Sequence, residues 1–136
     1  MTGLAKVIRN LDKDGILVID TPLKANKALS LERGKIIAFD NRYFDSSAEL
    51  CTALIHEGGH FESGAFYSPY SPYQIKEQAE YRADRSAILR YIPYEEMAAL
   101  LRADYQLWEL AEYFGVTEEY MLKAYLYYKD RYGAII

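Results

Sequence analysis

Residues 46–64 read Ser46-Ser47-Ala48-Glu49-Leu50-Cys51-Thr52-Ala53-Leu54-Ile55-His56-Glu57-Gly58-Gly59-His60-Phe61-Glu62-Ser63-Gly64. Ser46 or Ser47 can cap a helix, because a hydroxyl there accepts from an amide two or three residues on. Glu49 stands where it completes a capping box from Ser46. Gly64 suits the far end, where the chain turns left-handed. The stretch between predicts a helix running to about Ser63. Inside it lie both histidines of the chain, four residues apart. That spacing separates them by about 40° around the axis, so both imidazoles project from one face and can share a metal ion. Glu57 sits beside that face, within reach of a water at the ion without being a ligand, as a general base must be.

Two imidazoles leave a zinc site short of the three protein ligands usual in hydrolases. Cys51 is rotated about 140° from His56 and points elsewhere. The third donor is therefore a carboxylate. A second helix is expected over residues 74–90, after the Pro69 and Pro72 loop and before Pro93. It carries Glu77, Glu80 and Asp84 on one stripe. Glu80 is the chosen ligand, with Glu77 close to equivalent on spacing, and Asp84 one turn on can orient an imidazole N–H. Gly58 and Gly59 each weaken the first helix by about 1 kcal/mol relative to Ala. They leave a bare surface, either for close packing or for approach of the sheet or an extended substrate to the metal.

On the amino-terminal side, Gly15-Ile16-Leu17-Val18-Ile19-Asp20 and Gly34-Lys35-Ile36-Ile37-Ala38-Phe39-Asp40 are short β-branched runs bounded by Gly and Asp. They predict strands, with residues 28–31 as a third. On the carboxy-terminal side, residues 93–101, 105–114 and 117–129 read as shorter helices, with Gly115 as a C-cap and Thr117 as an N-cap. Strands followed by helices make an α+β domain: a small antiparallel or mixed sheet over residues 15–40, metal-binding helices over 46–90, and carboxy-terminal helices over 93–130.

The 136 residues suffice for one domain spanning 1–136, and 51% hydrophobic with 26% charged residues is globular usage. Sixteen basic against 20 acidic residues give a net charge of −4, which argues against direct nucleic-acid binding. The single Cys51 forms no internal disulfide, the start Met1-Thr2-Gly3-Leu4 lacks a signal segment, and no apolar run is long enough for a membrane span. A cytoplasmic protein is expected. The 14 tyrosines suit half-buried surfaces or a partner-gripping face.

The run Ala53-Leu54-Ile55-His56-Glu57-Gly58-Gly59-His60, followed by Glu80-Tyr81-Arg82-Ala83-Asp84 and Leu89-Arg90-Tyr91-Ile92-Pro93, resembles the ImmA/IrrE metallopeptidases of phages, integrative elements and bacterial stress loci. The likeness covers roughly residues 15–130 and extends to Glu62-Ser63-Gly64-Ala65-Phe66-Tyr67, Ser71-Pro72-Tyr73 and Leu110-Ala111-Glu112-Tyr113-Phe114-Gly115-Val116-Thr117. These segments are similar to the short forms carried by mobile elements. Two departures are Gly58, where the family motif commonly has a bulkier residue, and Ser86, where an aromatic often precedes Ala87. The resemblance implies a zincin-like fold, zinc held by His56, His60 and Glu80 rather than Glu77, and Glu57 as the group that activates water. It also implies a protein substrate, a helix-turn-helix repressor whose cutting releases silenced genes. Zn2+ suits these donors, and Mn2+, Co2+ or Fe2+ can occupy them under other supply. For an oxyanion donor, Tyr70 and Tyr73 in the loop entering the second metal-binding helix are the candidates.

Two rival readings stand beside this one. Residues 107–125, with the Phe114-Gly115-Val116-Thr117 turn, have the spacing of a DNA-binding helix-turn-helix. Five acids against three bases between Tyr105 and Arg131 would repel phosphates, which favours a core-forming or partner-binding helix pair. Alternatively, the metal pins two helices of an antirepressor that inactivates its target without cutting it.

Overall fold

A computed structural model describes residues 2–134. Among them run, in chain order, α1 (Gly3–Lys13), β1 (Leu17–Asp20), β2 (Ala28–Leu31), β3 (Ile36–Phe39), α2 (Ser47–Ser63), α3 (Tyr73–Tyr91), α4 (Tyr94–Arg102), α5 (Leu107–Phe114) and α6 (Glu118–Tyr132). The architecture is α+β. None of the described helices is long and apolar enough to cross a membrane.

The three expected strands form one mixed sheet in the order β1-β3-β2, with β1 parallel and β2 antiparallel to β3. Ile37 at its centre is fully buried. Ahead of the sheet stands α1, which the reading of residues 15–40 leaves out. Thr2 caps it by accepting from the Ala5 amide, and Val7 and Leu11 bury its apolar stripe. Asp40, 2% exposed, anchors the chain after β3: its carboxylate accepts from the Leu23 and Arg42 amides and from the Arg42 guanidinium.

Ser46 caps α2 by accepting from the Glu49 amide, while the Glu49 carboxylate accepts from the Asp45 amide rather than from Ser46. Gly64 ends the helix with φ 70°. The chain returns as α3, whose buried Ala79, Ala83 and Ala87 form a face of small residues. This face lets α3 come close, and Gly59 is where α2 receives it. A Cβ on Gly59 would lie far inside contact distance of the Ala83 carbonyl oxygen and 2.8 Å from its carbon. One on Gly58 would meet Leu11 Cδ2 of α1 at 3.1 Å. The positions where these glycines lack a Cβ thus face α1 and α3, which is close helix packing.

One core joins the two halves. Leu54, Ile55 and Cys51 of α2 meet Ile88 and Tyr91 of α3, with Leu110, Met121, Ala124 and Tyr128 from the carboxy-terminal helices. The Cys51 thiol is fully buried, and that burial pushes its pKa up to about 12. Gly115 closes α5 with φ 74°, and Thr117 caps α6 by accepting from the Tyr120 amide. Tyr91, Tyr120 and Tyr128 are buried while Tyr70, Tyr73, Tyr113 and Tyr132 are exposed, so the tyrosines serve both core and surface.

Candidate metal centre

His56 and His60 emerge from α2 one turn apart, their rings 5.0 Å between centroids and nearly perpendicular. Facing them across the hairpin is Glu80 of α3. His56 Nε2 lies 2.6 Å from Glu80 Oε2, and His60 Nε2 lies 3.4 Å from Glu80 Oε1. One donor atom from each of the three residues falls within 4.8 Å of the others, so His56, His60 and Glu80 are positioned to hold a metal ion. Glu77, one turn earlier on α3, is exposed and outside the cluster.

The remaining polar atoms of the cluster are all engaged. His56 Nδ1 is 2.8 Å from Asp84 Oδ1, placing Asp84 one turn beyond Glu80 where it orients the ring. His60 Nδ1 donates to the Ala65 carbonyl at 2.6 Å, just past the Gly64 turn. A carbonyl can only accept, so a proton sits on Nδ1 and Nε2 is the nitrogen directed at Glu80. Outer partners that fix tautomer and ring direction are what metal-binding imidazoles ordinarily have. Asp84 is itself tied to Lys123 of α6, 3.1 Å away, which links the last helix to the cluster.

Electrostatics follow from this geometry. Burial disfavours charge on His56, but hydrogen bonds to Asp84 and Glu80 and the nearby Glu57 outweigh it, raising its pKa to about 10. Burial likewise opposes charge on His60, and the bonds to Glu80 and Ala65 raise its pKa overall. Hydrogen bonds from His56 and His60, with a third from Tyr67, hold Glu80 well below the usual carboxylate range. In the metal-free protein the carboxylate therefore keeps protons on the very nitrogens an ion would take. The sign for stability is definite: the charge on His56 stabilises the metal-free fold fully below about pH 6.5, and this contribution is lost as pH rises toward 10. An ion must displace those protons, so its affinity moves the other way. Between pH 6.5 and 8.5 the apparent Zn2+ affinity is expected to rise by about tenfold or more per pH unit. Calorimetry in two buffers of different ionisation heat checks this, and a flat pH profile would show that the imidazoles carry no protons to release.

Glu57 stands beside the cluster and is held by β2. Ser30 Oγ donates to Glu57 Oε1 at 2.6 Å and approaches the Glu57 carbonyl at 3.0 Å. Nothing in the spacing of residues 28–31 marks Ser30 beforehand, because the contact joins segments 27 residues apart. The expected tyrosines are not at the site. Tyr70 is 95% and Tyr73 74% exposed, and neither lines the cleft. Tyr67 takes that place: its Oη donates to Glu80 Oε1 at 2.5 Å. Pro69 and Pro72, with the Ser68–Ser71 contacts, shape a loop that turns Tyr67 inward and leaves Tyr70 in solvent.

The cluster opens on a cleft of about 560 Å³ lined by Ser30, Leu31, Glu57, His60, Tyr67 and Glu80 among others. Its upper wall is β2, an edge strand. The Asp40 amide donates to the Lys27 carbonyl, and antiparallel alternation then turns Leu29 and Leu31 toward β3. This leaves the N–H and C=O groups of Ala28 and Ser30 on the free edge.

Comparison of the chain with family models, with curated proteins and with solved structures gives no match.

Proposed function

We propose that this chain is a zinc-dependent endopeptidase with a zincin-like fold, of the ImmA/IrrE type that its motifs resemble. The observation that carries the reading is the convergence of both Nε2 atoms and one carboxylate beside Glu57, under an unpaired strand edge. A structural histidine pair would need neither the fixed outer partners nor the adjacent acid.

Zinc bound by His56, His60 and Glu80 would supply Lewis acidity, polarising a peptide carbonyl and acidifying water. The chain's own groups do the rest. Ala28 and Ser30 offer main-chain donors and acceptors to an extended peptide, adding it to the sheet as a further strand. Glu57 takes a proton from the attacking water and returns it to the leaving amine. With Oε1 held by Ser30, its Oε2 is the oxygen free to do so. The Tyr67 hydroxyl, already aimed at the cluster, donates to the carbonyl oxygen as charge develops there.

A peptidase of this type acts on a protein, and a helix-turn-helix repressor encoded nearby is the proposed substrate, cut in the cytoplasm to relieve repression on a phage or mobile element. Incubation of the purified chain and equimolar Zn2+ with that repressor, followed by intact mass, tests the reading. Two fragments whose masses sum to the repressor plus one water are expected. His60→Ala should neither hold stoichiometric zinc nor cut. An intact repressor in the presence of the zinc-loaded wild type would overturn the proposal.

A further inference from the structure

Resting on the peptidase reading, we propose that the cleft selects side chains of opposite character on the two sides of the scissile bond. A large apolar residue immediately precedes the cut, and a polar or charged residue follows it. Two hollows of about 560 Å³ each meet at Ala28 and Glu57, one on either side of the general base. The hollow beside His60 and Glu80 is walled by Leu29, Leu31, Phe66 and Pro69, and Glu57 is its charged side chain beyond those of the cluster. Phe66 is held there edge-on to Phe61, 5.1 Å between centroids, and 6.0 Å from the His60 ring. Leu31 is 47% exposed, so apolar surface stands open to solvent beside the ligands. A large aliphatic or aromatic side chain buries itself against these walls. An Asp or Glu would be desolvated there with Glu57 and Glu80 as neighbours and no Lys or Arg lining the hollow to pair with.

The opposite hollow, beside His56, is lined by Lys27, Glu49, Glu119 and Lys123 as well as by Phe44 and Ala53. Either sign of charge finds a partner there, and an apolar side chain would strip water from these groups without replacing it. The order along the peptide follows from β2. This strand starts at Ala28, common to both hollows, and ends at Leu31 in the apolar one. A peptide pairing antiparallel, the more stable arrangement per residue, enters past Leu31 and leaves past Ala28. Its apolar residue therefore comes first.

A peptide set differing only at the residue before the cut (Leu, Phe, Ala or Asp) tests this in two ways. Wild type with Zn2+ is assayed for cut sites by mass spectrometry, and binding of the uncut peptides to the Glu57→Gln protein is measured by calorimetry. Cuts should fall directly after Leu or Phe, and the Leu peptide should bind about tenfold or more tighter than the Asp peptide. Leu31→Lys, at an exposed position, should keep its thermal unfolding and move the preference toward Asp. Equal affinity for the Leu and Asp peptides, or an apolar residue found after the cut, overturns the side-chain assignment alone. Failure of zinc-loaded wild type to cut any peptide overturns the peptidase reading, and the scissile bond with it.

Discussion

Glu57→Gln is expected to lower the cleavage rate by about 10²- to 10⁴-fold while leaving zinc content at one per chain. On the barrier this is roughly 3–5 kcal/mol, lost with the metal still in place. The substitution keeps shape and the Oε1 acceptor, so the Ser30 hydroxyl retains its partner and β2 stays docked on α2. It removes the basic oxygen alone. Neither Nε2 of the histidines is bonded to Glu57; their contacts run to Glu80, so the ligand set is undisturbed. Initial rates followed by intact mass, beside elemental analysis of the same preparations, separate the two effects. Full relief of repression by the Glu57→Gln protein would remove catalysis from the account and favour a metal-pinned antirepressor that acts by binding.

Gly59→Ala should be the most damaging change to the fold. The added methyl would run into the Ala83 backbone, its oxygen and its carbon together, and neither can swing aside as a side chain does. α2 and α3 must separate by several tenths of an ångström at least. Overpacking of this kind costs about 3 kcal/mol or more, and the roughly 1 kcal/mol gained in helix propensity does not offset it. Against a total stability of about 5–15 kcal/mol, the unfolding midpoint should fall by on the order of 10 °C. Glu80 rides on α3, so zinc affinity should fall with it. Gly58→Ala is the control: its methyl meets only the end of the Leu11 side chain, which can yield, and the propensity gain then makes the change neutral or mildly stabilising. Thermal unfolding of the two variants decides the matter. Equal midpoints would mean that the helices are not packed as tightly as described.

Periodicity and caps made much of this legible in advance. The Ser46 cap, the Gly64 turn and the i, i+4 histidines all lie within a single helix, where spacing converts directly into direction. Glu80 could be separated from Glu77 only by resemblance, because both share a stripe on α3 and the choice depends on how the helices cross. That crossing is set by Gly59 and Ala83, a contact between two residues whose defining property is having little or no side chain. The inward turn of Tyr67 is not legible in the sequence for another reason. Loop 64–72 has no period, so which of its tyrosines turns inward depends on a left-handed Gly64 and on serine hydroxyls bonding to local backbone. The signal for α1 is local: Leu4, Val7 and Leu11 recur at helical spacing behind the Thr2 cap.

The buried sulfur of Cys51 has a practical corollary. With its pKa pushed up to about 12 and no surface exposed, it offers maleimides and iodoacetamides almost no thiolate. Toward such reagents the folded chain behaves as though cysteine-free. A Tyr70→Cys substitution at the open tip of the loop would then accept one fluorophore at one address, giving an optical reporter of that loop without first removing the native thiol from the core.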